Sequence, residues 1–240
     1  MSIRKSISPT LRALAAGLFI AMTASCAAVA PAQDDNIELT ESNLIVVLRE
    51  SLGENHPDET LLPYGRVTAE LPDGRRIDLA TSWYHYIGDM HIRLVFDGGQ
   101  SLQSAAPNDL ERLRLSPEQA LDVAVKNLRR VYGMPTATKW SGGLMQVQAQ
   151  STDLASSYFL DHEFWLGVQR AHPEGVVAAV PQRGGLVYAP ADDDEAVDEL
   201  RFSVAALYAG GGGRRVSSAL YLFKNSHWSV YQPPQAPQPR

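Results

Sequence analysis

The stretch that most constrains this chain is Gly175 to Ala189, GVVAAVPQRGGLVYA. Val176 to Val180 is an unbroken apolar run, rich in β-branched valine and too short for a typical helix, so it predicts a strand buried on both faces. Pro181 to Gly185 supply turn chemistry, because proline fixes φ and glycine tolerates positive φ at little steric cost. Leu186 to Ala189 predicts a second strand. Two strands joined so closely form an antiparallel hairpin, and one this apolar needs partners on both sides. It is the expected centre of the core.

The 240-residue chain is 45% hydrophobic and 20% charged, enough to bury a sizeable core without cross-links. Residues 1–32 stand apart from that core. Arg4, Lys5 and Arg12 precede or begin an apolar run from Leu11 to Met22, and Ala30-Pro31-Ala32 offers a small-residue cleavage site, the pattern of a signal peptide. The run is shorter than the roughly 18 residues a membrane span needs. The expected product is periplasmic or secreted and starts at Gln33. The single cysteine, Cys26, follows Thr23-Ala24-Ser25, a degraded lipoprotein signal, so a lipid anchor at Cys26 is the alternative. Cleavage after Ala32 leaves no thiol, which fits an oxidising compartment. It also removes Arg4, Lys5 and Arg12, taking 21 Lys+Arg to 18 against 27 Asp+Glu, a formal charge of −9. That balance argues against nucleic acid and anionic membrane as partners.

The rest of the chain alternates helical and strand patterns. Leu44, Ile45, Leu48 and Leu52 form a stripe that predicts a helix over Thr40–Leu52, capped by Gly53. Arg66–Leu71 and Arg75–Leu79 alternate around Pro72-Asp73-Gly74 as a hairpin. Met90–Phe96 alternates as a strand. Ser116, Pro117 and Gln119 make a capping box that opens a helix closing at Gly133. Gly143–Gln150 reads as an amphipathic strand, Asp161 as the cap of a helix ending near His172, and Asp192 to Glu195 as the acidic first turn of another. Ser218–Lys224 and His227–Tyr231 read as a last hairpin. The Pro- and Gln-rich residues 232–240 are expected to be disordered.

Candidate chemistry is sparse. His56-Pro57-Asp58-Glu59 combines metal and acid–base side chains, but proline and local charge more simply describe a solvated loop, and that reading is preferred. Trp83, Tyr84, His85 and Tyr86 could wall a ligand or pack a strand's aromatic face on the sheet, and the second reading is preferred. Lys126, Arg129 and Arg130 near a helix end read as dipole electrostatics. Asp161-His162-Glu163 looks most like a catalytic cluster, yet consecutive helical residues point about 100° apart. Gly210 to Gly213 lack the lysine and hydroxyl of a phosphate loop, and the Asp192 run lacks the alternating ligands of a calcium loop. No metal or other cofactor is therefore expected. Arg183 is the one binding candidate, a charged side chain at the tip of a rigid hairpin that could meet an acidic group on a protein partner.

The runs VVAAVPQRGGLVY, SYFLDHEFW and LSPEQALDVAVKNLRR with the closing LYLF…WSVY resemble the YtpQ-type family of bacterial proteins of unknown function, over roughly residues 115–231. The resemblance implies an α+β fold and no particular reaction. The export signal departs from cytoplasmic members. The expectation is one α+β domain over residues 33–231, mainly antiparallel with three or four packed helices, with a division into two sublayers near residue 115 left open. The expected function is non-catalytic binding or adaptation. The alternative is a hydrolase using His162 with Asp161 or Glu163.

Overall fold

Alternation of side chains along the hairpin at Val176 decides how the molecule is layered. The computed structural model describes residues 37–235; the signal segment, Cys26 and residues 236–240 lie outside them. In chain order the strands and helices are β1 (Leu44–Glu50), β2 (Leu62–Pro63), β3 (Arg66–Glu70), β4 (Arg76–Ala80), β5 (Trp83–His85), β6 (Met90–Asp97), β7 (Leu102–Ser104), α1 (Pro107–Leu113), α2 (Pro117–Tyr132), β8 (Thr136–Lys139), β9 (Met145–Gln148), α3 (His162–Ala171), β10 (Val176–Gln182), β11 (Gly185–Pro190), α4 (Asp194–Gly210), β12 (Leu220–Lys224) and β13 (His227–Gln232). All strand pairings are antiparallel. The fold is α+β.

β10 and β11 sit in the middle of a six-stranded sheet ordered β13-β12-β10-β11-β9-β8. Val177, Ala179, Val187 and Ala189 face Ala196, Val197, Leu200 and Val204 of α4. Val176, Ala178, Val180, Leu186 and Tyr188 join the main core with Trp165, Phe223 and Trp228. The period of two thus distributes the hairpin between two apolar layers. Its strands run longer than expected, and a register shift between Ala179 and Gln182 absorbs Pro181, which has no N–H to give to a ladder.

A second sheet runs β1-β6-β5-β2, with β7 also on β6. Here the expected helix over Thr40–Leu52 is replaced by a short 3-10 turn at Glu41–Asn43 and strand β1. Leu44 to Leu48 are all buried, and five consecutive apolar positions hidden on both faces suit a strand, whereas an amphipathic helix would expose some of them. The stripe at 44, 48 and 52 was coincidental. α2 lies against β1, where Asn127 Nδ2 donates to the carbonyls of Glu41 and Leu44 at 2.7 and 2.9 Å. The main core runs across Ser116, joining Leu44, Ile92 and Phe96 to Trp165 and Phe223.

The helix starts follow local chemistry. Ser116 Oγ accepts from Gln119 N while Gln119 Oε1 accepts from Ser116 N. Asp161 caps α3 through Phe164 N, and Asp193 caps α4 through Ala196 N. At the C-terminal end the chain stays ordered past the expected point of disorder. Gln232 belongs to β13 and accepts from Arg201 Nε, and Gln235 N donates to Ser218 Oγ at 2.8 Å.

Candidate functional site

α2 presents Glu118, Leu121, Asp122, Val125, Lys126 and Arg129 along one side, the spacing of a single helical face. That face, the loop before β2 and the start of α3 enclose a cleft of about 470 Å³. Leu61, Leu121, Val125 and Leu160 make its apolar lining. Five carboxylates, those of Glu59, Glu118, Asp122, Asp161 and Glu163, line it against Lys126 and Arg129 as the cations. The cleft is acidic.

Glu59 is its best-supported polar group. Its side chain is 16% exposed; it accepts from His162 Nε2 at 2.7 Å, Tyr86 Oη at 2.8 Å and Trp228 N at 3.0 Å, and His227 Nδ1 lies 2.8 Å from its other side as an ion-pair contact. Burial alone would raise this carboxyl, but the donors from His162, Trp228 and Tyr86 outweigh it and hold the group below its usual value. An ionised carboxylate can only accept, so the His162 imidazole gives it an N–H. Tyr86 is pushed far up, first by burial and then by Glu59.

The cluster Asp161-His162-Glu163 is divided as helix geometry requires. His162 turns to Glu59, 103 positions upstream. Asp161 is fully buried, and its two oxygens take the Nε and Nη2 of Arg129, while Glu163 takes Nη1. Hydrogen bonds from Asp161 are the chief cause that raises the Arg129 guanidinium above its usual value. Arg129, read from the sequence as dipole electrostatics, is a clamp between α2 and α3.

Arg183 does lie in the β10–β11 turn, but it does not stand clear of the surface. Its N–H donates to the Arg214 carbonyl, its own carbonyl accepts from Ser156, and Nη2 donates to the Gly213 carbonyl at 3.2 Å. Its Nε is buried without a hydrogen-bond partner among the described residues. The turn is enclosed by the segments at Ser156 and Gly213, which local sequence could not indicate.

The aromatic stretch sorts by strand parity. Tyr84 points into the core, whereas Trp83 and His85 share the opposite face with His91 and Arg93. Arg93 Cζ lies 3.6 Å from the Trp83 ring centre, and Tyr64 stacks on His85 at 4.5 Å. Arg93 Nε donates to His91 Nε2, so the neutral ring keeps its proton on Nδ1 and gives it to Ser51 Oγ. Burial, then Arg93, lowers His91 to about 3. Trp83, His85, Tyr64 and Arg93 thus pack on one another and stay partly exposed.

No family model, curated protein or solved structure matches the chain. Function must therefore be argued from the two polar clusters themselves. Glu59, which its sequence neighbours describe as part of a solvated loop, is instead drawn into the cleft wall. Its partners lie 27, 103 and 169 positions away, so the local cluster His56-Pro57-Asp58-Glu59 could flag the residue but not its surroundings.

Proposed function

We propose that this chain is an exported, non-catalytic binding module whose cleft takes an organic cation carried on a short apolar stem, such as a basic side chain of a protein partner. The observation that carries the reading is the state of the cleft's acid–base groups. Arg129 and Asp161 are spent on each other, Glu59 is occupied by three hydrogen-bond donors and the His227 contact, and His162 is held by Glu59. What remains available is the apolar lining of Leu61, Leu121, Val125 and Leu160 with the carboxylates of Glu118 and Asp122 against the cation Lys126, a net negative surface that favours cations over anions. Among the described residues, no serine, threonine or cysteine lines the cleft, so hydrolysis through His162 would lack a side-chain nucleophile. The partner contact at Arg183 has lost its free tip and is not part of this reading. Export rests on the pattern in residues 1–32, and the likeness to the YtpQ-type family adds no ligand.

The test is calorimetric titration of the purified chain with n-alkylguanidinium and n-alkylammonium ions beside n-alkylcarboxylates of equal length. The cations should bind more tightly as the stem lengthens and more weakly as salt rises, and Asp122→Asn should weaken them. Carboxylates binding as well as the cations would overturn the assignment.

A further inference from the structure

A second cluster lies away from the cleft lining. His56 is fixed by its backbone, which exchanges two hydrogen bonds with Gly88, at 2.8 and 2.7 Å. Gly88 has φ +65, and an added Cβ there would run into Tyr221; glycine is what lets the loop, the turn and β12 meet. His85 is fixed from the other direction, between Leu62 of β2 and His91 of β6, with Tyr64 stacked on its ring. The two imidazoles end with centroids 4.9 Å apart. Glu54 completes the group, its Oε2 lying 3.4 Å from His56 Nε2.

Two features of this group call for an occupant. His56 Nε2 and His85 Nδ1 are both buried and have no hydrogen-bond partner among the described residues. A buried polar atom left unpaired is destabilising, and two in one cluster are unusual without something between them. The second feature is that one donor atom from each of Glu54, His56 and His85 lies within 4.8 Å of the others.

We propose that Glu54, His56 and His85 bind a divalent transition metal of the zinc class through two imidazole nitrogens and one carboxylate oxygen. Tetrahedral ligands about 2.0–2.1 Å from such an ion lie roughly 3.3 Å from one another, and the His56–Glu54 pair already has nearly that separation. Closing the widest remaining gap takes side-chain movements on the order of 1 Å. Imidazole suits zinc, copper and nickel, while magnesium and calcium prefer sites made of oxygen alone. The stacked Tyr64 fixes the plane of His85, as orienting neighbours of metal ligands do. Arg93, the adjacent cation, is engaged by Trp83 and His91. Three protein ligands leave a fourth position for water or a partner's side chain. The sequence drew His56 together with Asp58 and Glu59, whereas the fold groups it with Glu54 and with His85, 29 positions on, a set that belongs to no compact spacing motif.

The experiment uses the full chain carrying Cys26→Ser, so that its lone thiol cannot compete, treated with chelator and titrated with zinc chloride by calorimetry. One equivalent should bind, with a rise in melting temperature, and a large excess of magnesium should not displace it. His56→Ala and His85→Ala should each weaken binding by about a hundredfold or more, while His172→Ala should leave it unchanged. Because His85→Ala could disturb β5, Glu54→Gln, on a half-exposed residue, supplies a variant with an unaltered melt, and cobalt bound in place of zinc should lose its tetrahedral visible absorption in it. Absence of a stoichiometric zinc site, or zinc binding that survives both histidine substitutions, would overturn the proposal.

Discussion

Two carboxylates with opposite treatments show what single residues do here. Glu59 is stabilised as an anion by hydrogen bonds from three residues and by the nearby His227. Glu59→Gln keeps the shape but replaces an acceptor with an NH2 group that faces donors, so it should lower unfolding free energy by about 2–3 kcal/mol in denaturant melts; Tyr86→Phe, which removes one donor, should cost about 1 kcal/mol. Equal stability of Glu59→Gln and wild type would mean that the four contacts are not made in solution. Asp89 is the reverse case. Burial is the main cause that raises it to about 6, against the hydrogen bond from Ser217 Oγ at 2.5 Å. Its unfolded carboxyl titrates near the ordinary value of about 3.9, so between there and about 6 the native state binds more protons than the unfolded one. Its contribution to stability therefore falls as pH rises through that window and is level above it. Asp89→Asn should be more stable than wild type by up to about 3 kcal/mol at pH 7 and should lose that advantage near pH 4. A gap that does not change with pH would show that Asp89 does not titrate there.

At the scale of elements, the central hairpin and the α2–α3 clamp carry the clearest expectations. Val180 is fully buried in β10, and Val180→Asp puts an unpaired carboxylate among apolar side chains at a cost of several kcal/mol; the variant should fail to accumulate in soluble form. Arg129→Met should destabilise by about 3 kcal/mol, because it strands the buried Asp161 carboxylate with only its helix-cap contact. Asp161→Asn in the same background should recover part of the loss, and a double-mutant cycle measures how much. The elements that could be read from sequence were those specified locally. Ser116 with Gln119, Asp161 before α3 and Asp193 before α4 each satisfy backbone donors within three residues. β1 could not be read that way, because Leu44 to Leu48 fit a helical stripe and a buried strand alike, and pairing with β6 over its whole length decided the matter. The cleft was half legible. Its α2 face follows from spacing, whereas Glu59, His162 and Arg129 acquire their partners only through tertiary contacts.

For the whole molecule, a core shared by residues on both sides of Ser116 predicts one cooperative unfolding transition, with calorimetric and van't Hoff enthalpies in agreement. Two resolved transitions would show that the halves are separate domains. The C-terminal contacts make a related prediction. Removing residues 236–240 should leave the melting temperature unchanged, while removing residues 232–240 should lower it by a few degrees, since the second truncation takes away Gln232 and the Gln235 contact with Ser218. The arrangement around Glu59 also has a consequence for the order of synthesis. A chain leaving the ribosome presents the carboxylate at 59 early and Tyr86 soon after, but the imidazole of His162 comes some hundred residues later and the groups at 227 and 228 only near the end. Until then a partly buried anion lacks most of its partners, and the wall it supports cannot be finished. The cleft is thus unfinished on a chain that stops short of His227 and Trp228, and ligand binding is expected only once the last strand has been made.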